Sequence, residues 1–383
     1  MVLVVSILYF ILPIISLSIS LIAMVISKKK HRYAIFVALS LAAIAYLYVP
    51  GSSDDLYRNQ LVAYKLFYSS DLYIFNRLLT DIEKIPIIIN MLVLKMGKIN
   101  LLQFIVTFIS YFNILYVVNR EYKKENGTIS YVIVLLFTIA SFSYLSIVSN
   151  LWFMLASTLL SIGIIKYLKD DNIVVGVVFM ILSLFTHSSM IFPIGMFIIY
   201  IINGKKFSFK LSIALFVIFS MIGVILNYLV LKYNNIFINE LYRYYIPYFE
   251  DTSFANSMHS TRLMILYMVK LIPYILTFFY YGGFKDDNVS NCSMHFALIV
   301  ASLFVFSSFS VRFIPIVQLL GVGMIYKLFN DKTKSLYKVF LHLIVIAITI
   351  VWIFLNYYQI KKMNFYNFDN GLVSNIVNII ESR

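Results

Sequence analysis

Residues 172–204 read NIVVGVVFMILSLFTHSSMIFPIGMFIIYIING and contain no Asp, Glu, Lys or Arg. The hydrocarbon core of a bilayer is about 30 Å thick, and a helix of about 20 apolar residues crosses it. The stretch is too long for one ordinary crossing and short for two, and residues 186–189 form a polar cluster at its centre. We therefore predict two helices, over 172–186 and 188–203, that meet at this cluster.

Similar uncharged runs recur along the 383-residue chain, which is 61% hydrophobic and only 13% charged. Soluble domains are about half apolar and a quarter charged. The sequence therefore predicts an all-α fold, a polytopic transmembrane helical bundle of about 12 helices that forms one integral membrane domain over residues 1–383. The predicted helices are 2–26, 33–50, 99–118, 129–148, 150–168, 172–186, 188–203, 210–231, 262–281, 294–310, 312–328 and 338–358.

A net charge of +14 is compatible with a nucleic-acid partner, but no basic run is interleaved with aromatic residues as in nucleic-acid-binding proteins. Lys and Arg concentrate in short cytoplasmic loops of membrane proteins, and this explains the charge better. Placing the amino terminus outside puts the basic residues 28–32 inside, and it leaves three long outer segments: 51–98, 232–261 and the tail 359–383. We predict a multi-pass protein of a bacterial cytoplasmic membrane, surrounded by lipid, that does not bind nucleic acid.

Several kinds of site are excluded by composition. A single cysteine, Cys292, allows no intramolecular disulfide and no cysteine cluster. There is no glycine-rich phosphate loop of the nucleotide-binding types. The five histidines are not at metal-ligand spacing. We therefore predict no metal and no cofactor.

Residues 54–58, which read DDLYR, follow the second predicted helix at the outer face. On a helical turn Asp54 or Asp55 would share a face with Arg58, next to Tyr57. Either carboxylate could be a general base or could hold the arginine. The alternative is a solvated helix cap, because Asp is a good N-cap residue.

His187 lies between two long apolar runs, in the sequence FTHSS. Polar groups at membrane depth are costly, so such a cluster is often functional. His187 could accept a proton or bind phosphate. The alternative is a histidine that hydrogen-bonds to backbone in a tight turn.

Two cations also interrupt apolar sequence. Arg312 divides the run 294–328, and Lys270 lies within the predicted helix 262–281. A permanent cation there needs an anionic partner or ligand, unless its side chain extends to lipid headgroups. We predict that both contribute to binding a lipid-linked phosphate, with Lys270 facing the centre of the bundle.

The second outer segment places tyrosines next to arginines. Arg243 is followed by Tyr244 and Tyr245, and Arg262 directly follows the segment at the start of the next predicted helix. Guanidinium groups match phosphate oxygens, and aromatic faces stack on sugar rings. We predict anion binding by Arg243 and Arg262 with Tyr245 beside them; an aromatic belt at the interface is the alternative for the tyrosines.

These motifs together resemble those of the EpsG and Wzy-like polysaccharide polymerases of bacterial capsule, O-antigen and exopolysaccharide pathways. The likeness rests on residues 54–58 just outside the second helix, on residues 186–189 at the end of an apolar run, and on Arg312 with Phe313 between two helices. The family often has one Asp followed directly by Tyr, whereas Asp55 is followed by Leu56 and then Tyr57. Both carboxylates are therefore retained as candidates.

The resemblance implies a substrate and a reaction. The substrate would be an oligosaccharide repeat unit on undecaprenyl pyrophosphate, and units would be joined by glycosyl transfer at the outer face. A chain-length regulator would be the protein partner. Asp54, Asp55 and His187 would be the catalytic candidates. The pyrophosphate-binding and substrate-binding candidates would be Arg58, Arg243, Arg262, Arg312, Lys270, Tyr57 and Tyr245.

Other functions stay open at this point. One is a different outer-face transferase that uses polyprenyl-linked sugars or acyl groups. Another is a flippase or transporter of the same lipid-linked sugar, which should show two related halves with broken helices. No convincing internal repeat is visible in the sequence.

Overall fold

The computed structural model describes residues 13–52, 54–122, 127–206, 208–210, 214, 217, 221, 269–284, 287–302 and 307–363. This part of the chain is all helical and contains no strand. A short 3₁₀ helix over Ser188–Met190 precedes α11. The α-helices are α1 (Pro13–Ile26), α2 (Lys30–Tyr46), α3 (Asp55–Phe67), α4 (Asp71–Thr80), α5 (Lys84–Lys95), α6 (Leu101–Glu121), α7 (Thr128–Ser141), α8 (Tyr144–Ser149), α9 (Leu151–Lys169), α10 (Ile173–Thr186), α11 (Ile191–Ile202), α12 (Ile272–Tyr280), α13 (Asn288–Ser302), α14 (Ser307–Leu320), α15 (Val322–Asn330) and α16 (Leu336–Lys362).

Three of these helices, α6, α9 and α16, are long and apolar enough to cross a membrane. Helices α14 and α15 pass the same test together, although the chain bends by 44° between them. Several shorter apolar helices, such as α7 and α10, do not reach the length of a span. The described residues therefore supply three or four candidate spans, and the predicted count of about twelve is not confirmed.

The chain folds into two compact units. Among the described residues, the first unit contains those up to Tyr167, Asp171–Ile191 and those from Thr349 onwards. The second unit contains Leu168–Asp170 and the described residues of Phe192–Ile348. A single integral domain over residues 1–383 stays a prediction.

In the first unit, α2 packs against both α1 and α6. Four buried alanines of α2 recur about every four residues, so that one face of the helix is small: Ala34, Ala38, Ala42 and Ala45. Small side chains let helix backbones approach closely where apolar burial against lipid gives little drive to associate. Helix α6 also packs against α5, α7 and α8.

Helices α9 and α10 form a tight hairpin. A Cβ atom added at Gly163 would lie 2.9 Å from the carbonyl oxygen of Gly176, and one added at Gly176 would lie 2.9 Å from that of Gly163. Ser183 Oγ of α10 donates to the carbonyl oxygen of Ala156 at 2.7 Å. The two backbones therefore touch, and α10 is held in place up to its carboxyl end.

The predicted break at residues 186–189 is confirmed, since α10 ends at Thr186 and α11 begins at Ile191. The helix predicted over 129–148 is instead divided into α7 and α8. Phe142 is extended, and Ser143 Oγ accepts from the N–H of Ser146 at 3.3 Å, which starts α8. Hydropathy predicts one continuous helix here, but local capping by serine divides it into two.

The predicted break at Arg312 is wrong. Arg312 and Pro315 both lie inside α14, and the bend follows Leu320 instead. At the bend, a Cβ atom on Gly321 would overlap the ring of Tyr274, which belongs to α12. Helix α12 packs against α15 at this point, so close packing at glycine, rather than the cation or the proline, marks the division.

Residues 51–98, which the sequence pattern leaves as a long outer segment, contain the three short helices α3, α4 and α5. They share a small apolar core formed by Leu66, Ile74 and Ile87, against which Leu78 and Met91 pack. Helix α5 packs in turn against α3, α6 and α10. The segment is therefore a folded part of the first unit, and its outer location stays a prediction.

Candidate functional site

Asp54 caps the amino terminus of α3. Its Oδ1 accepts from the N–H of Leu56 at 3.1 Å, and its Oδ2 accepts a short hydrogen bond from the hydroxyl of Tyr48. Burial raises the pKa of Tyr48, and the Asp54 carboxylate raises it further, so the phenol stays a donor. Both oxygens of Asp54 are thus used within the protein, as the helix-cap alternative requires.

Asp55 and Arg58 form the pair that helical spacing predicts. Arg58 Nη2 lies 2.6 Å from Asp55 Oδ1, three residues earlier on the first turn of α3. The side chain of Arg58 is 69% exposed and that of Asp55 is 41% exposed. The neighbouring Tyr57 is also exposed. This turn therefore presents a carboxylate, a guanidinium and a phenol to the surroundings.

A glutamine that sequence reasoning missed supports this turn. Gln103 of α6 is fully buried, and its Nε2 donates to the carbonyl oxygens of Ala45 and Tyr48 at 2.7 and 2.8 Å. Gln60 Nε2 of α3 donates to Gln103 Oε1 at 3.1 Å. The network joins the end of α2 to α3 and α6, and it holds the segment before Asp54. In the sequence, the only indication of this network is one glutamine within the apolar run of α6.

His187 occupies the turn between α10 and the 3₁₀ helix, with extended backbone. Its Nδ1 accepts from the N–H of Ser189 at 3.2 Å and lies 2.9 Å from Ser189 Oγ. The edge of the ring contacts the ring of Phe153, with centroids 5.4 Å apart. When Nδ1 accepts the N–H of Ser189, a neutral imidazole carries its proton on Nε2. His187 therefore hydrogen-bonds to backbone in a tight turn, as the alternative to a catalytic role predicts.

Glu83 is the second residue that sequence reasoning missed. It directly precedes α5, and its Oε1 accepts from the N–H of Ser188 at 2.8 Å and from Ser188 Oγ at 2.7 Å. The same oxygen lies 3.8 Å from His187 Nδ1. No local pattern indicates the pair, because the two partners are 105 positions apart.

Helix α5 links the two polar clusters of the first unit. It packs against α3, which carries Asp55 and Arg58, and against α10, which ends at the His187 turn. Glu83 stands at its amino end. The first unit thus contains an exposed carboxylate–arginine pair and a carboxylate–imidazole pair on helices that share one neighbour.

The remaining predicted residues belong to the second unit or lie outside the described residues. Arg312 is partly exposed within α14, and Lys270 is buried just before α12; both belong to the second unit. Arg243, Tyr245 and Arg262 lie outside the described residues, and their roles stay predictions. Among the residues that the structure describes, no three His, Cys, Asp or Glu side chains come together as a metal site.

Comparison with known proteins gives one positive result. No curated protein and no solved structure matches the chain. The model of the EpsG family matches residues 31–370, which is most of the sequence. Together with the apolar helices, this match identifies a membrane protein of polysaccharide biosynthesis, and the chain belongs to the EpsG family, whose members are polysaccharide polymerases.

Proposed function

We propose that this protein polymerises oligosaccharide repeat units carried on undecaprenyl pyrophosphate, at the outer face of a bacterial cytoplasmic membrane. Family membership supports polymerisation of a polysaccharide. The observation that carries the choice of chemistry is the Glu83–His187 pair, since a carboxylate beside an imidazole is suited to accept a proton from a sugar hydroxyl. The distribution of basic residues along the sequence supports the outer location.

The reaction needs neither nucleotide nor ATP. The hydroxyl oxygen of the acceptor sugar bonds to the anomeric carbon of the donor while the bond from that carbon to the pyrophosphate oxygen breaks. The acceptor proton passes to His187 Nδ1, the unprotonated nitrogen of the neutral imidazole, which gives up its hydrogen bond from the Ser189 N–H to accept it, and undecaprenyl pyrophosphate leaves. Glu83, with its carboxylate 3.8 Å from Nδ1, stabilises the imidazolium that forms.

The exposed turn of α3 is proposed to bind the leaving group. The Arg58 guanidinium can form paired hydrogen bonds to phosphate oxygens and stabilise the charge that develops there. Asp55 orients this guanidinium, and Tyr57 offers an aromatic surface to a sugar ring. Since both oxygens of Asp54 are engaged by Leu56 and Tyr48, we assign Asp54 to positioning of the turn rather than to proton transfer.

Five further residues complete the proposal as predictions from sequence. Cationic side chains would bind pyrophosphate and tyrosine would contact sugar; the residues are Arg243, Tyr245, Arg262, Lys270 and Arg312. A chain-length regulator is the proposed protein partner, and lipid tails of the substrate would enter from the bilayer.

Reconstitution tests the proposal. Purified protein in phospholipid vesicles is mixed with undecaprenyl-pyrophosphate-linked repeat units, and the products are sized on a gel. A ladder of lengths is expected from the wild type and from His31→Ala, a control at an exposed histidine. His187→Ala should give no ladder while it inserts normally. Movement of unjoined units between leaflets would identify a flippase, and transfer of one sugar or acyl group would identify another transferase; either result overturns the proposal.

A further inference from the structure

Helix α4 exposes an apolar stripe that no part of the described chain covers. Its inner side is formed by Ile74, which is buried, and by Leu78, which packs on the core of α3 and α5. Next to this side, Leu72, Phe75 and Leu79 are 69%, 57% and 63% exposed. Positions 72, 75 and 79 lie on one face of a helix. Helix α4 therefore uses Ile74 and Leu78 for packing, whereas Leu72, Phe75 and Leu79 point outward.

The far side of the same helix is polar apart from the phenol ring of Tyr73, which is also exposed. Asn76 and Thr80 are exposed, and Arg77 pairs with Asp81 just beyond the helix end. At 100° per residue, the apolar positions occupy one side of the wheel and these polar positions occupy the opposite side. A surface helix that faces only water typically has a single apolar stripe, the one that faces the core.

The stripe continues into neighbouring apolar surface. Tyr68 before α4 and Ile82 after it are exposed, as are Ile88 and Leu92 on α5. Helix α5 packs against α6, a candidate span, and against α10, whose exposed side chains are also apolar. Helix α4 thus shares its core with α5, which packs directly on a candidate span and on an apolar helix. At ten residues, or about 15 Å, α4 is too short to cross a bilayer.

We propose that α4 lies within the membrane–water interface, with Leu72, Phe75 and Leu79 in the hydrocarbon of bilayer lipid and with Asn76 and Thr80 towards water. Amphipathic helices bind membranes in this way, with the apolar face immersed by about 5–10 Å. Exposed apolar patches of this kind are rare on surfaces that face only water. The inference concerns the membrane placement of residues 71–80 and does not depend on the proposed polymerase reaction.

Single cysteines test it. Cys292 is the only native cysteine and is fully buried, so the unmodified protein serves as the unlabelled control. Cysteine is introduced in turn at Leu72, Phe75 and Leu79, and as matched controls at Asn76 and Thr80. Each variant receives a nitroxide label and is reconstituted in vesicles of phosphatidylethanolamine and phosphatidylglycerol without polyprenyl lipid. Collision with oxygen, which concentrates in hydrocarbon, is compared with collision with a water-soluble nickel chelate.

The ratio of oxygen to nickel collision should be about tenfold higher at the three apolar positions than at the two polar controls, because hydrocarbon excludes the chelate. Equal ratios at all five positions would place α4 in water and overturn the proposal. Low collision with both reagents at the apolar positions would reveal a protein contact, such as a second copy, and would also overturn it. Oxygen access that arises only after polyprenyl phosphate is added would also overturn the proposal, because the bilayer lipid alone would then not cover the stripe. If one variant fails to insert, the other two apolar positions carry the same comparison.

Discussion

Glu83 and Ser188 are joined by two hydrogen bonds to a single carboxylate oxygen, from the backbone N–H at 2.8 Å and from the hydroxyl at 2.7 Å. This contact ties the start of α5 to the turn that carries His187. Because Glu83 Oε1 also lies 3.8 Å from His187 Nδ1, one carboxylate both holds the turn and faces the imidazole. Substitutions can separate these two contributions.

We predict that Glu83→Gln keeps the turn but loses the reaction. A glutamine oxygen can still accept from Ser188, whereas the negative charge beside His187 is gone. Polymer formation should fall by more than about tenfold, as for loss of a charge that stabilises an imidazolium. Glu83→Ala should in addition lower the free energy of unfolding by about 1–2 kcal/mol, since Ser188 loses its acceptor. Gel sizing of products and thermal unfolding in detergent measure the two effects.

The control for this pair is Asp71→Asn, which removes an exposed carboxylate from the first turn of α4. It should leave product length unchanged. Normal polymer from Glu83→Gln would show that the charge is not used and would reduce Glu83 to a structural role.

Asp54 is predicted to act as a helix cap. Asn caps helices as well as Asp does, and its Nδ2 can donate to the Tyr48 oxygen in place of the bond that Oδ2 now accepts, so Asp54→Asn should retain polymer formation with little loss of stability. Asp54→Ala removes the acceptor for Leu56 and for Tyr48, and it should lower the free energy of unfolding by about 1 kcal/mol. A folded but inactive Asp54→Asn protein would instead assign the charge of Asp54 to the reaction. Circular dichroism melts together with product sizing distinguish these outcomes.

Gly321 is predicted to tolerate no side chain. A Cβ atom there would overlap the Tyr274 ring, so Gly321→Ala should lower the free energy of unfolding by about 1–3 kcal/mol. Tyr274→Leu should offset part of this loss when the two changes are combined. Gly195→Ala is the matched control, because no atom lies within 4 Å of its added Cβ, and it should be neutral or slightly stabilising. Additive effects of the Gly321 and Tyr274 changes in a double-mutant cycle would contradict the contact.

Asp331 should make stability depend on pH in the acid range. The backbone N–H of Thr333, with further help from the hydroxyls of Thr333 and Tyr281, lowers the pKa of Asp331 in the folded protein. A lowered folded pKa stabilises the protein above the unfolded pKa of about 3.9, and this contribution is lost as the pH falls through the folded pKa. Asp331→Asn should therefore have a lower Tm than the wild type at pH 7 and an equal Tm at the lowest pH tested. A difference that persisted unchanged into acid would show that the carboxylate charge does not contribute.

Local sequence patterns predicted several elements well. The uncharged runs predicted α6, α9 and α16, and the polar cluster at residues 186–189 predicted the end of α10, because hydropathy and polar interruptions are local properties. The i,i+3 spacing predicted the Asp55–Arg58 pair for the same reason. These features require only residues that lie within a few turns of one another.

Hydropathy did not predict the helix boundaries that tertiary packing determines. Arg312 and Pro315 suggested a break, yet the helix continues past both of them and bends at Gly321, where the Tyr274 ring lies. Hydropathy predicts no helix in residues 51–98, because α3–α5 are short and partly polar. Their shared core of Leu66, Ile74 and Ile87 becomes evident only when the three helices are brought together.

Composition and local pattern are enough to identify a helical membrane protein, to locate its long apolar runs and to place His187 where one of them is interrupted. The sequence also carries the family motifs. Only the tertiary structure decided that Glu83 meets Ser188 and lies beside His187, that Gln103 braces the turn before Asp54, and that α4 keeps an apolar stripe uncovered. The physical reason is range: helix formation and membrane affinity sum over neighbouring residues, whereas a hydrogen bond between positions 105 apart depends on the packing of every helix between them.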